Sequence, residues 1–507
     1  GLVGSEMCIR DSICLVWLFA VMVGSPLSAI RAGIMISLLM LAPVLGRIND
    51  RATTLSFALA LILVTNPFSA GSVALQLSFG AVAGMFLLSQ PIYAYFSKKL
   101  SPPRIFRAVW NYIIATLSSS LAVTVFTFPL LAVHFGYITL LAPVMNILCL
   151  WAISFLFVGG FAVCAVGLVL PAPASWLAAV LSCLVRYIAF VVEYAAKLPI
   201  TALYMENKYA PAWLLTSYAL FIAYFLLRRK KKISVFAPSA LCLAMLCGVF
   251  ALTGRDMRSD TGTISVMNVG NGQCIAVTEG ESVVVIDCGS YGVTQNAGSM
   301  LSSYLRAGGR YDIDYLMLTH LHSDHTTGVV RMLNLMNVNT VILPDNAEDT
   351  NGDDVLDDII AACEENGTNI VYITRDTEFT AGAIRLSVYE SSERGSRAES
   401  GIMSTVSIGD YDMLVTGDVE KVVERELVSL HDLTDTELLI VPHHGSKYST
   451  SDELLSELRP ETAVISTGYN RYGHPTKETL DKLNEYGVNV LRTDELGRIV
   501  LHVASGD

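Results

Sequence analysis

The chain has 507 residues, 52% hydrophobic and 16% charged, with a formal net charge of −12; that length exceeds one ordinary core and predicts two or more domains. Charge divides sharply near residue 254: residues 1–254 carry 16 Lys+Arg against 5 Asp+Glu, and residues 255–507 carry 18 against 41, or +11 against −23. The two halves belong in different solvents, which excludes a single soluble domain.

Residues 1–12, GLVGSEMCIRDS, have neither an initiator Met nor the shape of a signal peptide. They are expected to be a non-native tail on a protein lacking its true N-terminus. Apolar runs follow at 13–23, 27–46, 53–66, 73–96, 109–133, 137–170, 173–196, 211–227 and 234–253. Most approach the ~20 residues a helix needs to cross a bilayer core. The 137–170 run is longer than one span, either two helices or a span with a re-entrant piece. So many runs almost without Asp or Glu would leave a large soluble protein nothing to face water. Residues 13–253 are therefore expected to form a polytopic membrane domain.

Three basic clusters flank these runs: Arg47 with Arg51; Lys98, Lys99, Arg104 and Arg107; and Arg228, Arg229, Lys230, Lys231 and Lys232. Such clusters tend to stay cytoplasmic, and even numbers of runs separate them, so all three are expected inside. The last run, 234–253, then carries the chain out and puts residues 258–507 on the outer face. Arg31, Gln76 and Asn146 lie in or beside apolar runs, where polar groups usually face a wet cavity or a partner; snorkelling to the interface is the alternative. His134 and Glu193 read as helix-end residues. Of ten cysteines, Cys149, Cys164, Cys183, Cys242 and Cys247 fall in apolar runs, where Cys is a small hydrophobe. Cys274 and Cys288 fall on consecutive predicted strands. An outer location permits a disulfide between them, but independent buried thiols are the expectation, because sequence does not show Cα approach.

The second half opens with ISVMNVGNGQCIAVTEGESVVVIDCGS, residues 264–290, short β-rich runs broken by Gly-containing turns. IDYLMLTH, TVILPD, NIVYIT, DMLVTGD, ELLIVPHHGS and TAVISTG follow, interleaved with helical patterns, which predicts sheets covered by helices. LMLTHLHSDHTTGVV, residues 316–330, delivers His320, His322, Asp324 and His325 at the end of one such strand. Imidazole and carboxylate are ligands for zinc, manganese or iron, and this spacing throws them into one loop. Of nine His in the chain, three fall here, His443 and His444 form a pair, and His474 sits in YGHP. Asp418 in LVTGDVE adds a strand-end carboxylate, and a metal site explains the grouping better than chance.

THLHSDHTTG resembles the HxHxDH signature of the metallo-β-lactamase superfamily. With VGNGQ, IDCGS, LVTGD, VPHHGS and YGHP, the second half resembles the hydrolase domain of the ComEC family of competence proteins. SAIRAGIM around Arg31, NPFSAGSVALQLSFGAVAG at 66–84 and FPLLAVHFGYITLLAPVMN at 128–146 resemble the same family's channel domain. The fold implied is a multi-pass α-helical membrane domain, 13–253, followed by an α/β metallo-β-lactamase-like domain, an αββα sandwich, at 258–507. The function implied is uptake of transforming DNA across the bacterial cell membrane, one strand entering and its partner degraded outside. DNA and the lipid bilayer are the partners implied, with other competence-machinery proteins and further copies of the chain left open. The resemblance also gives weight to Arg31 and Gln76 as channel residues. Two features depart from the family: no oligonucleotide-binding-type domain is found near the N-terminus, and its NNxS element becomes SGIMS at Ser400–Ser404, leaving Ser404.

By the same resemblance His320 and His322 would hold a first divalent metal, Asp324 and His325 a second, with Asp418 bridging and His443 completing the second site. A superfamily His between the cluster and Asp418 has no counterpart, since no His occurs from 326 to 430. Of the pair, the strand ending in LLIVPH favours His443 as ligand and leaves His444 as a supporting or substrate contact. Two manganese or zinc ions suit phosphodiester hydrolysis, with Asp324 orienting the water and His474 protonating the leaving oxygen. A His474 merely bonded within its turn is the equal alternative. The domain's acidity runs against nucleic-acid binding through counterion release, so DNA would be held by metals, a local basic face, or another domain. The acidic run DNAEDTNGDDVLDD lacks the spacing of a calcium loop and reads as solvated surface. Three readings stay open: a DNA channel with an external nuclease, a membrane-anchored hydrolase of another phosphoester, and a channel with a structural metallo-domain.

Overall fold

The computed structural model describes every residue except 1, 25, 26, 45–50, 100–105, 197, 199, 200, 228–235, 258–260, 346–354, 391–400, 434, 435 and 505–507. Arg47, Arg104, the basic run 228–232, Ser400 and most of the acidic stretch at 345–358 therefore lie outside the described residues. The chain forms two compact units, Gly1–Met205 and Glu206–Asp507.

The first unit is helical: α1 (Leu2–Met22), α2 (Leu27–Val44), α3 (Arg51–Thr65), α4 (Val73–Lys99), α5 (Arg107–Phe135), α6 (Ala142–Gly167) and α7 (Pro171–Ala196). Helix is the dictated choice for such runs, because hydrocarbon offers no partner for an open backbone N–H or C=O. Phe155, Phe161, Trp176 and Phe190 point outward and are exposed, as lipid-facing side chains must be. The long 137–170 run resolves into a short strand and one helix. Strand β1 (Tyr137–Thr139) pairs antiparallel with β2 (Ala202–Tyr204), Ile138 opposite Leu203, and α6 follows with Pro143 in its first turn, where a missing N–H costs nothing.

The second unit begins with two more apolar helices, α8 (Ala210–Leu227) and α9 (Phe236–Met257). Among the described residues, α4, α5, α6, α7 and Ala237–Met257 are long and apolar enough to cross a membrane. Shorter apolar helices at Asp11–Met22, Ala29–Leu38, Thr53–Thr65 and Ala210–Tyr224 match the remaining runs.

Two seven-stranded sheets follow. The first has the order β16-β3-β4-β5-β6-β7-β8, built from β3 (Thr261–Val266), β4 (Cys274–Glu279), β5 (Ser282–Cys288), β6 (Asp312–Met317), β7 (Asn337–Pro344), β8 (Asn369–Ile373) and β16 (Ile499–Ala504). The second runs β15-β14-β13-β12-β11-β10-β9, from β9 (Thr377–Ala381), β10 (Ile384–Glu390), β11 (Ile402–Ile408), β12 (Tyr411–Val415), β13 (Leu438–Ile440), β14 (Thr462–Ile465) and β15 (Asn489–Arg492). Their inner faces share one core, Ile264, Ile286 and Met317 meeting Leu386, Val406 and Ile440. Val283, Val285 and Leu316 face the other way and pack under α10 (Ala297–Ala307), α12 (Val329–Leu335) and α13 (Val355–Asn366). On the far sheet Leu414, Leu439 and Ala463 pack with residues of α14 (Lys421–Leu430), α15 (Asp452–Leu458) and α16 (Lys477–Glu485). The result is the expected αββα sandwich. Strands buried on both faces read as unbroken apolar runs such as SVVVIDC.

Cys274 and Cys288 sit directly opposite each other on β4 and β5. Both are buried free thiols, and the contact with Cys288, together with burial, pushes the Cys274 thiol up. They are thus the buried, unbridged thiols expected, lying side by side on paired strands.

Candidate metal centre

The site lies where strands of both sheets end. β5 delivers Asp287, β6 runs into His320–His325, β12 leads to Asp418, β13 to His443 and His444, and β14 to Ser466 and the loop bearing His474. Gly289 makes the first approach possible, since a Cβ there would come within 2.0 Å of the Asp324 carbonyl oxygen. Asp287, His443 and His444 have φ of 55°, 50° and 53°. A non-glycine residue held in that left-handed region costs roughly 1–3 kcal/mol, and here three such residues aim side chains into one place.

Asp287 is fully buried and organises the centre. One carboxylate oxygen accepts from the Thr319 amide at 2.8 Å. The other accepts from the Thr319 hydroxyl at 2.8 Å, Gln273 Nε2 at 2.9 Å and His325 Nδ1 at 2.8 Å. With Nδ1 donating to Asp287, His325 Nε2 faces Asp418 Oδ1 at 3.2 Å. Burial disfavours a charge on His325, but Asp418 and Asp287 outweigh it and hold the imidazole well above its ordinary range. Burial and the neighbouring His325 push His320 well below it. Asp418 stays ionised despite burial because His325 and His444 hold it well below the usual carboxylate range. Burial also works against the Asp324 charge, yet His444 and His325 bring that carboxyl down to about 2.

Asp324, His325, Asp418 and His444 offer ligand atoms that all lie within 4.8 Å of one another. The histidine pair is arranged differently from the expectation. His444, with a side chain 2% exposed, donates Nδ1 to the Ser466 carbonyl at 2.8 Å and turns Nε2 to within 3.6 Å of Asp324 and 3.9 Å of Asp418. The His443 side chain is 27% exposed, with Nε2 3.8 Å from Asp418. Successive left-handed residues reverse which of the pair points inward, so position after the strand is a poor guide. His320 packs against this group, its ring centroid 4.1 Å from that of His325 and 4.7 Å from that of His322. Among the described residues, His320 Nε2 and His444 Nε2 are buried with no hydrogen-bond partner. Two inward imidazole nitrogens, that of His444 held from behind by the Ser466 carbonyl, and two ionised carboxylates are the donor chemistry a divalent metal needs, so the residues fit the group.

The centre opens into a cavity of about 330 Å³, where Asp324, Asp418, His443 and His444 are joined by His322 and His474. The His474 ring lies 5.7 Å from that of His443. Burial, then His443, lowers its hold on a proton. Ser404 is buried in β11 and is not among the residues lining the cavity. The sequence left Asp287 unassigned although it lies within IDCGS, and Thr319 of THLHSDHTTG, Gln273 of VGNGQ and Ser466 of TAVISTG were likewise given no role.

The expected channel residues lie in the helical unit. Arg31 is buried, and its Nε has no hydrogen-bond partner among the described residues. Asn146 Nδ2 donates to Ser120 Oγ at 2.8 Å. His134 lies in the last turn of α5, as expected, and its Nε2 is 2.7 Å from Gln76 Oε1.

The Competence protein family model matches residues 9–232, and the Metallo-beta-lactamase superfamily model matches residues 267–469. ComE operon protein 3 of Bacillus subtilis (strain 168) is 26% identical over 503 residues, covering 95% of this chain and 62% of that protein. Competence protein ComA of Neisseria gonorrhoeae is 26% identical over 264 residues, covering 52% of this chain and 35% of that protein. Among solved structures, CmlA, a diiron beta-hydroxylase from Streptomyces venezuelae, aligns over 48% of this chain and 55% of its own at 14% identity with a TM-score of 0.33. At that score the likeness carries no weight beside the family models. The chain thus spans under two thirds of the length of the curated relatives it matches. The family models and the donor set together support a membrane protein bearing a metal-dependent hydrolase domain.

Proposed function

We propose that this chain, which matches the Competence protein model over residues 9–232 and the Metallo-beta-lactamase superfamily model over residues 267–469, serves DNA uptake across the bacterial cell membrane and hydrolyses a DNA strand at the histidine–aspartate centre. The reading rests on the convergence of Asp324, His325, Asp418 and His444 at an open cavity. His320 and His322 would hold one divalent ion and Asp324, His325 and His444 another, with Asp418 between them and His443 beside them. Two such ions, manganese or zinc, supply an activated water and neutralise charge on the phosphate. Asp287 fixes the His325 ring, and the Ser466 carbonyl fixes that of His444. Asp324, ionised at neutral pH, accepts a hydrogen bond from the attacking water and orients it. His474, at the cavity wall, passes a proton to the leaving oxygen. The hydrolase domain, 258–507, is assigned to the outer face on the inward basic clusters and the single span after them.

Purified full chain in detergent micelles is expected to cleave DNA with manganese or zinc and not in chelator. A chain that binds metal and cleaves neither DNA nor a small phosphodiester would leave the domain structural.

The membrane half, 13–253, is assigned the strand's path, with Arg31, Gln76 and Asn146 along it, because a buried cation in a span needs water or a partner. Arg31→Leu is expected to lower transformation at least about tenfold while DNA cleavage and membrane insertion persist, since leucine suits lipid better than arginine. Normal transformation by an inserted Arg31→Leu chain would remove Arg31 from the path and favour helices that only anchor.

A further inference from the structure

Two tyrosines on the cavity wall keep most of their ring surface in solvent. Tyr291 and Tyr472 both line the metal-centre cavity, yet they are 52% and 70% exposed. Neither phenol hydrogen-bonds to another described residue. Elsewhere in the domain Tyr304 and Tyr389 are tied down, to Ser265 at 2.5 Å and to Thr405 at 3.4 Å.

The backbones of the exposed pair are nevertheless held firmly. The Tyr291 amide donates to Val269 O at 3.1 Å, and its carbonyl accepts from Asn271 N at 3.0 Å. Gly270, at φ +75°, lets that strap close, since a Cβ there would meet the Tyr291 carbonyl oxygen at 2.0 Å. Asn470 Oδ1 accepts from the amides of Tyr472 and His474 at 3.1 and 3.0 Å, while its Nδ2 donates to the carbonyls of Gly468 and His474. The Tyr472 ring lies nearly parallel to that of His474, at 29° and 5.9 Å between centroids. Arg471 is exposed beside it. Large aromatic surfaces are therefore presented to solvent on rigid loops, immediately beside the reacting groups.

Given the phosphodiesterase reading, on which this rests, we propose that Tyr291 and Tyr472 form a stacking platform that grips bases next to the scissile phosphodiester, so that the substrate of the centre is single-stranded DNA. Every base presents a π-face to an aromatic ring, and the gain does not depend on sequence. Bases inside a duplex are already stacked and cannot reach such rings. The domain's −23 charge denies a duplex the broad basic surface that counterion release requires. Stacking supplies affinity without one and is little weakened by salt.

The test uses the full chain in detergent micelles with manganese and three substrates: an oligothymidylate, the same strand with abasic residues around the scissile bond, and bis(p-nitrophenyl) phosphate. Tyr291→Ala and Tyr472→Ala should each raise KM for oligothymidylate about tenfold, with kcat falling less than KM rises. Tyr291→Phe and Tyr472→Phe should restore it, because the ring and not the hydroxyl carries the contact. On the abasic strand the wild type should be weak and the alanine variants no weaker. Wild-type KM for oligothymidylate in both alanine variants, or an equal penalty on the abasic strand, would overturn the platform. Turnover of bis(p-nitrophenyl) phosphate by the wild type reports separately on the phosphodiesterase reading. If that ester is cleaved while the alanine variants behave as wild type, only the platform falls; if the wild type cleaves neither ester nor strand, both fall.

Discussion

Asp418→Ala is expected to lower the proposed DNA hydrolysis by the full chain at least about 10³-fold, a loss of ~4 kcal/mol of transition-state stabilisation. Asp418 is the carboxylate on which the centre converges: His325 Nε2 lies 3.2 Å from it, His443 Nε2 3.8 Å and His444 Nε2 3.9 Å. Alanine removes the charge that balances these imidazoles and the oxygens a pair of divalent ions would share. The measurement is initial rate against manganese concentration, with thermal unfolding followed in parallel. A folded Asp418→Ala chain that retains a tenth of wild-type activity would show that the centre works without this carboxylate.

His444→Ala and His443→Ala separate the two members of the pair. His444 is buried, oriented by the Ser466 carbonyl and aimed at Asp324 and Asp418, so alanine there is expected to cost at least about 100-fold in activity, the upper end of what losing even a supporting partner of a metal ligand costs. His443→Ala is expected to cost under about tenfold and to act through substrate contact, raising KM more than it lowers kcat. Manganese activation curves discriminate further, because only His444→Ala should shift to higher metal. The opposite order, with His443→Ala the more damaging and the more metal-hungry, would return the ligand role to His443.

That contrast also marks how far the sequence could be read. The αββα sandwich was legible because strands buried on both faces leave apolar runs ending in Gly-containing turns. The cluster at His320–His325 was legible because its spacing confines four donors to one loop. The choice between His443 and His444 was not, because it depends on two successive left-handed residues, and φ at such a turn is set by packing rather than by residue type. Asp287 was missed for a related reason. Its role comes from Thr319, Gln273 and His325 closing on it from positions 14 to 38 residues away, and a strand-end Asp alone carries no such message. In the helical half, hydropathy found the runs but could not foresee that 137–170 would hold one strand and one helix, since β1 owes its strand form to pairing with β2. Gln76 and His134 are 58 residues apart, and nothing in either run announced their contact.

If the centre cuts DNA through the divalent metal it holds, a metal titration of chelator-stripped full chain will show it. Bound manganese is counted at each step while cleavage of a single-stranded oligonucleotide is measured on the same sample. The stripped protein should not cleave, the rate should rise with bound metal and level off as the centre fills, and the Asp418→Ala chain should not recover at any concentration. Cleavage at full rate without bound metal, or a filled centre with no cleavage of any phosphodiester, would contradict that expectation.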